Sequence, residues 1–196
     1  MKKIFLTLTI LILTFSTQIV ADTSNSIQRI YEGNQDAKVT IITYESFTCS
    51  HCADFHKNVY PQLKKEFIDA GLVKIEFRHF PLDMAALNAS KIAQCNNDGK
   101  SDILHFLFSN QKKWAIGETV ETANENLKKL LKDENIVIDF EKCTNNQKIE
   151  DYVLNDRIEG VKKFKVNATP TIIINNKKFD KSLNYKNLKK SIEKLI

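Results

Sequence analysis

Apolar positions along this chain switch between two periods five times, and each switch marks a change between strand and helix. Residues 38–46 read Lys-Val-Thr-Ile-Ile-Thr-Tyr-Glu-Ser. They are β-branched and aromatic, with apolar side chains on both faces at the centre, which predicts a strand buried on both sides. From Cys49 onward Ala53, Phe55, Val59, Leu63 and Phe67 recur at three- and four-residue steps, the pattern of a helix with one buried face. Pro61 falls inside that pattern and, lacking an N–H, should kink it. Gly71 stands where a helix C-terminus favours a left-handed residue. Residues 72–80 then alternate as a strand until Pro81 stops them. Strand, helix and strand in this order form a βαβ unit, so the two strands should run parallel. The polar lead-in before it offers only a short strand near 27–31.

From Met84 to about Phe164 the alternation gives way to helical spacing. It predicts helices over 84–96, 101–114, 121–134, 138–146 (a short one) and 148–163, separated by Asn- and Gly-containing breaks. Strand grammar resumes at 171–174, turns at Asn175-Asn176, and returns as a hairpin over 177–179. An amphipathic helix over 183–196 closes the chain. No fixed-period repeat is visible, which excludes a solenoid.

Length and composition narrow the classes. The 196 residues suit one domain, or one domain carrying an insertion, and scarce Gly, Pro and Met exclude collagen-like and low-complexity chains. The net charge of +5 includes Lys2 and Lys3; the remaining +3 is too small and too evenly spread to argue for nucleic acid. Residues 1–21 have a basic start, an apolar middle and Ala21 as a small residue for cleavage, the pattern of an export signal. An uncleaved membrane anchor is the alternative. Either way the chain leaves the cytosol, for a compartment that permits disulfides.

That compartment bears on the four cysteines. Cys49 and Cys52 are separated by two residues and follow the first strand directly, as in a thioredoxin-like redox site. Cys49 falls at the start of the helix, where unpaired N–H groups and the dipole favour a thiolate; the His51 imidazole would add to this. If the Cys49 pKa fell by about 3 units, about 1.5 of them would count at pH 7. That is worth about 2 kcal/mol, or about 45 mV toward a more oxidising pair. The competing readings are an inert small-loop disulfide and half of a metal site. Zinc needs four ligands, and His56, His79 and His105 lack ligand spacing, so no metal and no cofactor is expected. βαβ, a long helical stretch and then ββα, around such a pair, predicts an α/β chain: a thioredoxin fold with an inserted α-helical domain. Its parts would be 22–83 and 165–196, with 84–164 inserted.

Thr169-Pro170 precedes the last strong strand. In this fold the loop faces the redox pair, and a cis bond there exposes the preceding backbone to an extended substrate; a trans proline opening a strand is the alternative. Cys95 and Cys143 remain. In an oxidising compartment they are expected to pair, at about 4 kcal/mol in the loop-entropy model, with two buried free thiols as the alternative. Glu45 could shuttle a proton, but an exposed carboxylate at the strand end is the expectation. His56 is expected to pack or be solvated. Trp114, Phe106 and Phe108 read as core of the insertion.

Three segments together resemble the DsbA family of thiol:disulfide oxidoreductases: 44–52 (Tyr-Glu-Ser-Phe-Thr-Cys-Ser-His-Cys), 77–83 (Phe-Arg-His-Phe-Pro-Leu-Asp) and 168–171 (Ala-Thr-Pro-Thr). Residues 93–95 and 141–143 resemble the cysteine-bearing helices of its alphaproteobacterial branch, where a second structural disulfide occurs. The resemblance covers nearly all of the chain after residue 21. It implies a periplasmic monomer that donates its Cys49–Cys52 disulfide to reduced, unfolded exported proteins and is reoxidised by a quinone-linked membrane partner. Cys49 would be the sulfur attacked, Cys52 the buried leaving thiol, His51 the thiolate stabiliser and Thr169-Pro170 the substrate loop. Two departures stand out: the middle dipeptide is Ser-His where many members have Pro-His, and Thr43 occupies the place of a buried acid six residues before the first cysteine. A disulfide isomerase or reductase, and a metal- or peptide-binding carrier using the same groove, are the competing functions.

Overall fold

The computed structural model describes residues 26–196, so the expected export signal over 1–21 lies outside the described residues. A five-stranded sheet runs in the order β1-β3-β2-β4-β5. At its centre β2 (Val39–Glu45) and β3 (Val73–His79) are parallel, paired from Val39 opposite Val73 to Glu45 opposite His79. β4 (Thr171–Ile174) lies antiparallel on the other side of β2, and β5 (Lys177–Lys178) closes that edge as a hairpin. The expected strand near 27–31 forms only as β1 (Tyr31–Glu32), antiparallel to β3. Gly33 ends it at φ +92, where an added Cβ would fall 2.3 Å from the Val73 carbonyl oxygen. Only glycine fits there.

The helix expected from Cys49 to Phe67 is broken into three pieces. α1 (Ser50–Asn58) stops at Val59, α2 (Tyr60–Leu63) carries Pro61 in its first turn, and a π-helical turn follows over Lys64–Ile68. Pro61 has no N–H to donate and its ring clashes with the carbonyl one turn back, so the break falls just before it. The helical stretch supplies α3 (Met84–Gln94), α4 (Asp102–Ser109), α5 (Gln111–Trp114), α6 (Val120–Asp133), α7 (Phe140–Thr144) and α8 (Gln147–Phe164). The single helix expected over 101–114 splits at Asn110, whose backbone leaves the helical region at ψ 12. α9 (Tyr185–Ile192) ends the fold.

Alternation in β2 and β3 sends side chains into two cores. Ile41, Ile75, Phe55, Leu63, Leu188 and Ile192 share one, which continues into the helical segment through Leu104, Leu107 and Trp114. On the opposite face Ile42, Tyr44, Phe80 and Ile173 pack with Phe164 of α8. α8 comes so close that a Cβ on Gly160 would sit 2.8 Å from the Tyr44 ring. The chain has the thioredoxin fold, with helices α3 to α8 inserted between β3 and β4.

Candidate active site

The redox pair sits where β2 hands over to α1. Cys49 is the N-cap of α1 in an extended conformation, and its carbonyl accepts from Cys52 N at 3.1 Å and Ala53 N at 3.2 Å. The turn before it is tied down from several sides. Cys49 N donates to Ser46 O at 3.1 Å, the Ser46 hydroxyl accepts from Leu82 N at 3.3 Å, and Thr48 Oγ1 donates to Asp83 Oδ2 at 2.6 Å. Asp83 also caps α3 through Ala86 N at 2.7 Å, so the loop after β3 and the loop after β2 hold each other.

The two thiols have opposite surroundings, and both are free. Cys49 is half-buried and Cys52 fully buried. The Cys49 thiol is lowered to about 5, first by a hydrogen bond from Cys52, against the opposing effect of burial. Thr169 and the backbone N–H groups of Cys52 and His51 add to the lowering. Both N–H groups belong to the first turn of α1, where the helix dipole favours negative charge on the sulfur. Cys52 moves the other way, first because of burial, then because its thiol donates toward Cys49 and because Glu45 and Cys49 carry negative charge beside it. A negative charge rests far more easily on Cys49.

Thr169-Pro170 is cis. The Thr169 carbonyl oxygen is 3.3 Å from Cys49 Sγ, within reach of the thiol as a donor. A groove of about 920 Å³ runs beside the pair, lined by His51, Asp54, Phe55, Thr169, Pro170 and Tyr185 among others. The His51 ring is exposed on that groove, and it is the backbone N–H of His51 that helps to hold the Cys49 thiolate. Cys95 and Cys143 lie away from the groove, bonded to each other with Cα atoms 5.5 Å apart.

The expectation of an exposed carboxylate at the end of β2 does not hold. Glu45 is 4% exposed, with Oε2 2.9 Å from Nε2 of His56, itself 8% exposed. β2 ends beneath the buried face of α1, and a carboxylate there stays only because an imidazole meets it. Thr43, six residues before Cys49, is buried and places its hydroxyl 3.5 Å from Glu76 O. The buried acid next to the redox helix is therefore Glu45, four residues before Cys49.

Three residues at the site carried no functional reading in the sequence. Gln111 of α5 donates to Phe47 O and Cys49 O. His105 of α4 and Glu32 of β1 bond to each other and, through His105, to His56. They lie 49 to 73 residues from their partners, beyond the reach of any local spacing rule. The one available signal was the apolar face of 101–114, which had to pack on something and packs on α1: Phe108 stacks on His56 with ring centroids 4.1 Å apart. Among the described residues no group of three or more His, Cys, Asp or Glu side chains suits a metal ion.

Comparison with known proteins agrees with this geometry. A family model described as Thioredoxin matches residues 25–194. The crystal structure of Wolbachia pipientis alpha-DsbA1 superposes with a TM-score of 0.74 at 30% identity, covering 85% of this chain and 90% of that one. Disulfide bond formation protein D of Bacillus subtilis is 28% identical over 176 residues, 83% of this chain and 74% of its own length. A protein-disulfide oxidoreductase candidate of Rickettsia bellii is 28% identical over 147 residues, 73% of this chain. The chain spans only 55% of that relative's length. Fold, redox pair and relatives together place the chain in the thioredoxin superfamily, within the DsbA family of thiol:disulfide oxidoreductases.

Proposed function

We propose that this chain is an exported dithiol oxidase that donates the Cys49–Cys52 disulfide to reduced, unfolded proteins in the periplasm. The observation that carries the reading is the asymmetry of the pair: Cys49 holds charge at about 5, whereas Cys52 is driven upward by burial. A substrate thiolate attacks the half-exposed Cys49 sulfur, and Cys52 leaves as the buried thiol. The substrate's second thiolate then attacks the mixed disulfide and Cys49 departs as a thiolate, which its low pKa makes a good leaving group. An acidic Cys49 also stabilises the reduced protein and so strengthens the pair as an oxidant.

The groove beside His51 and the cis Thr169-Pro170 loop supports extended substrate, whose backbone can pair with the chain before Pro170. Each turnover leaves the pair reduced, so a membrane partner linked to quinone must reoxidise it. No helix among the described residues is long and apolar enough to cross a membrane; export rests on residues 1–21. The test is oxidative refolding of a reduced secreted protein by the oxidised chain. Native disulfides should form in the substrate while the chain is recovered reduced, and Cys49→Ser should abolish both. Net reduction of a substrate disulfide under the same conditions would make the chain a reductase.

A further inference from the structure

Beneath the redox pair, four side chains from four elements form one continuous hydrogen-bonded line. Glu45 Oε2 at the end of β2 meets His56 Nε2 of α1 at 2.9 Å. His56 Nδ1 meets His105 Nδ1 of α4 at 3.1 Å, and His105 Nε2 meets Glu32 Oε1 of β1 at 2.6 Å. The outer pair is more exposed than the inner pair. The side chains of Glu45 and His56 are 4% and 5% exposed, those of Glu32 and His105 14% and 27%. The outer end opens into a cleft of about 590 Å³ between Glu32, Lys64, Lys100, Ser101 and His105, which shares no lining residue with the groove beside Cys49.

The inner end reaches the redox pair. Cys52 and His56 are one turn apart on the buried face of α1, so their side chains are neighbours, and the carboxylate gripped by His56 lies beside Cys52. The charge of Glu45 is among the causes that raise the Cys52 thiol. Glu45 Oε1 is buried with no hydrogen-bond partner, which leaves one oxygen uncommitted.

The line also carries a countable proton. Two Nδ1 atoms at 3.1 Å bond only if one of them bears hydrogen. If each Nε2 also donates to its carboxylate, the two rings hold one proton more than two neutral imidazoles. Moving the Nε2 proton of His56 onto Glu45 leaves every contact in place. Burial acts to raise Glu32, but hydrogen bonds from His105, Ser101 and Tyr60 outweigh it and hold its carboxyl well below the usual range. The outer carboxylate therefore stays anionic and fixes the His105 ring through its Nε2. The other charged and titratable groups facing the line are Tyr60 and Lys64, both on Glu32, and His79, level with Glu45 on β3; Asp98, Lys100 and Asp102 line the outer cleft, and Asp54, Lys57, Lys112 and Lys113 line a further cavity with His56 and His105.

We propose that Glu45, His56, His105 and Glu32 are a proton relay joining the buried Cys52 sulfur to solvent by a route separate from the substrate groove. The inference rests on disulfide exchange at Cys49–Cys52. When a thiolate attacks Cys49, a new S–S bond forms there, the Cys49–Cys52 bond breaks, and Cys52 keeps the electron pair. Glu45 passes a proton to Cys52 Sγ and takes the one that His56 Nε2 releases. A proton from solvent enters at His105, whose ring Glu32 holds in place, to restore the line. When Cys52 attacks in the opposite direction, the same proton runs outward. Glu45 is the member whose charge bears on the Cys52 thiol, with Oε1 left free of any hydrogen bond; His56, His105 and Glu32 act through it.

The test is stopped-flow reduction of the oxidised full chain by dithiothreitol between about pH 5 and 8, comparing the parent with His105→Gln. Glutamine keeps a donor toward Glu32 but has no ring nitrogen that exchanges a proton. The rate should fall on the order of tenfold, most at the alkaline end, with the reduction potential unchanged, and imidazole should restore the rate of His105→Ala. A His105→Gln rate equal to the parent's throughout overturns the relay, as does a loss of rate with a shifted potential and no rescue by imidazole. The parent needs no substitution for a second check: its reduction should be slower in D2O at equal thiolate fraction, and equal rates overturn the relay. A parent that does not exchange at all overturns the exchange reading itself, whereas a parent that exchanges with His105→Gln unaffected overturns the relay alone.

Discussion

Gln111 Nε2 donates to the carbonyl oxygens of both Phe47 and Cys49, at 2.7 and 2.9 Å, so the inserted helices hold the first redox cysteine from behind. Gln111 is 7% exposed and starts α5 just after the break at Asn110. The turn over 46–49 is held on its other side by Asp83 and Leu82. The insertion is thus part of the site's scaffold as well as a cover over it.

Gln111→Ala should therefore destabilise the protein, because the Phe47 carbonyl loses its partner inside the fold. The expected loss is about 1–3 kcal/mol in chemical denaturation. An unchanged midpoint would mean that the two hydrogen bonds hold nothing.

The acidity of Cys49 sets a pH dependence whose sign can be worked out. The folded thiol titrates at about 5, below its ordinary 9.0. Stability that the thiolate gives the reduced protein is complete above about pH 9, shrinks as pH falls, and is gone below 5. Thiolate absorbance in the ultraviolet should fall with a midpoint at about 5. The advantage of the reduced over the oxidised form in denaturant melts should shrink over the same range.

Cys95, at the end of α3, and Cys143, in α7, close a loop of 48 residues. Replacing both by alanine should cost about 2–4 kcal/mol and leave the Cys49–Cys52 potential where it was, since the bond lies away from the groove. A shifted potential would show that it reaches the site.

Asp156 on α8 is 2% exposed and accepts from Arg29 Nη1 at 2.6 Å and from His79 N at 3.1 Å. Removing it leaves a guanidinium and a buried N–H without their anion. Asp156→Ala should cost about 3–5 kcal/mol in thermal or chemical unfolding. A loss below 1 kcal/mol, in the range of surface pairs, would contradict this account of how α8 is fixed to β3.

The fold was largely legible because its signals are local. Two-residue alternation in 72–80, three- and four-residue steps after Cys49, and the Asn175-Asn176 turn each act within a few residues. Pro61 announced a break, though not the π-helical turn after it, which depends on how Phe67 and Ile68 seat in the core. The redox pair was legible for the same reason, since two cysteines and a helix start share four positions. The burial of Glu45 is not legible in sequence because it depends on a partner, His56, whose own pattern fits packing or solvation equally, and His105 and Glu32 come from distant elements. Long-range polar contacts leave no period in the sequence.

The measurement that bears most directly on the central claim is the reduction potential of the Cys49–Cys52 pair, at equilibrium with glutathione. A thiolate as acidic as Cys49 beside a buried Cys52 predicts a value well above that of thioredoxin, toward about −120 mV. A value at or below about −270 mV would show a pair built to reduce, and would contradict the account.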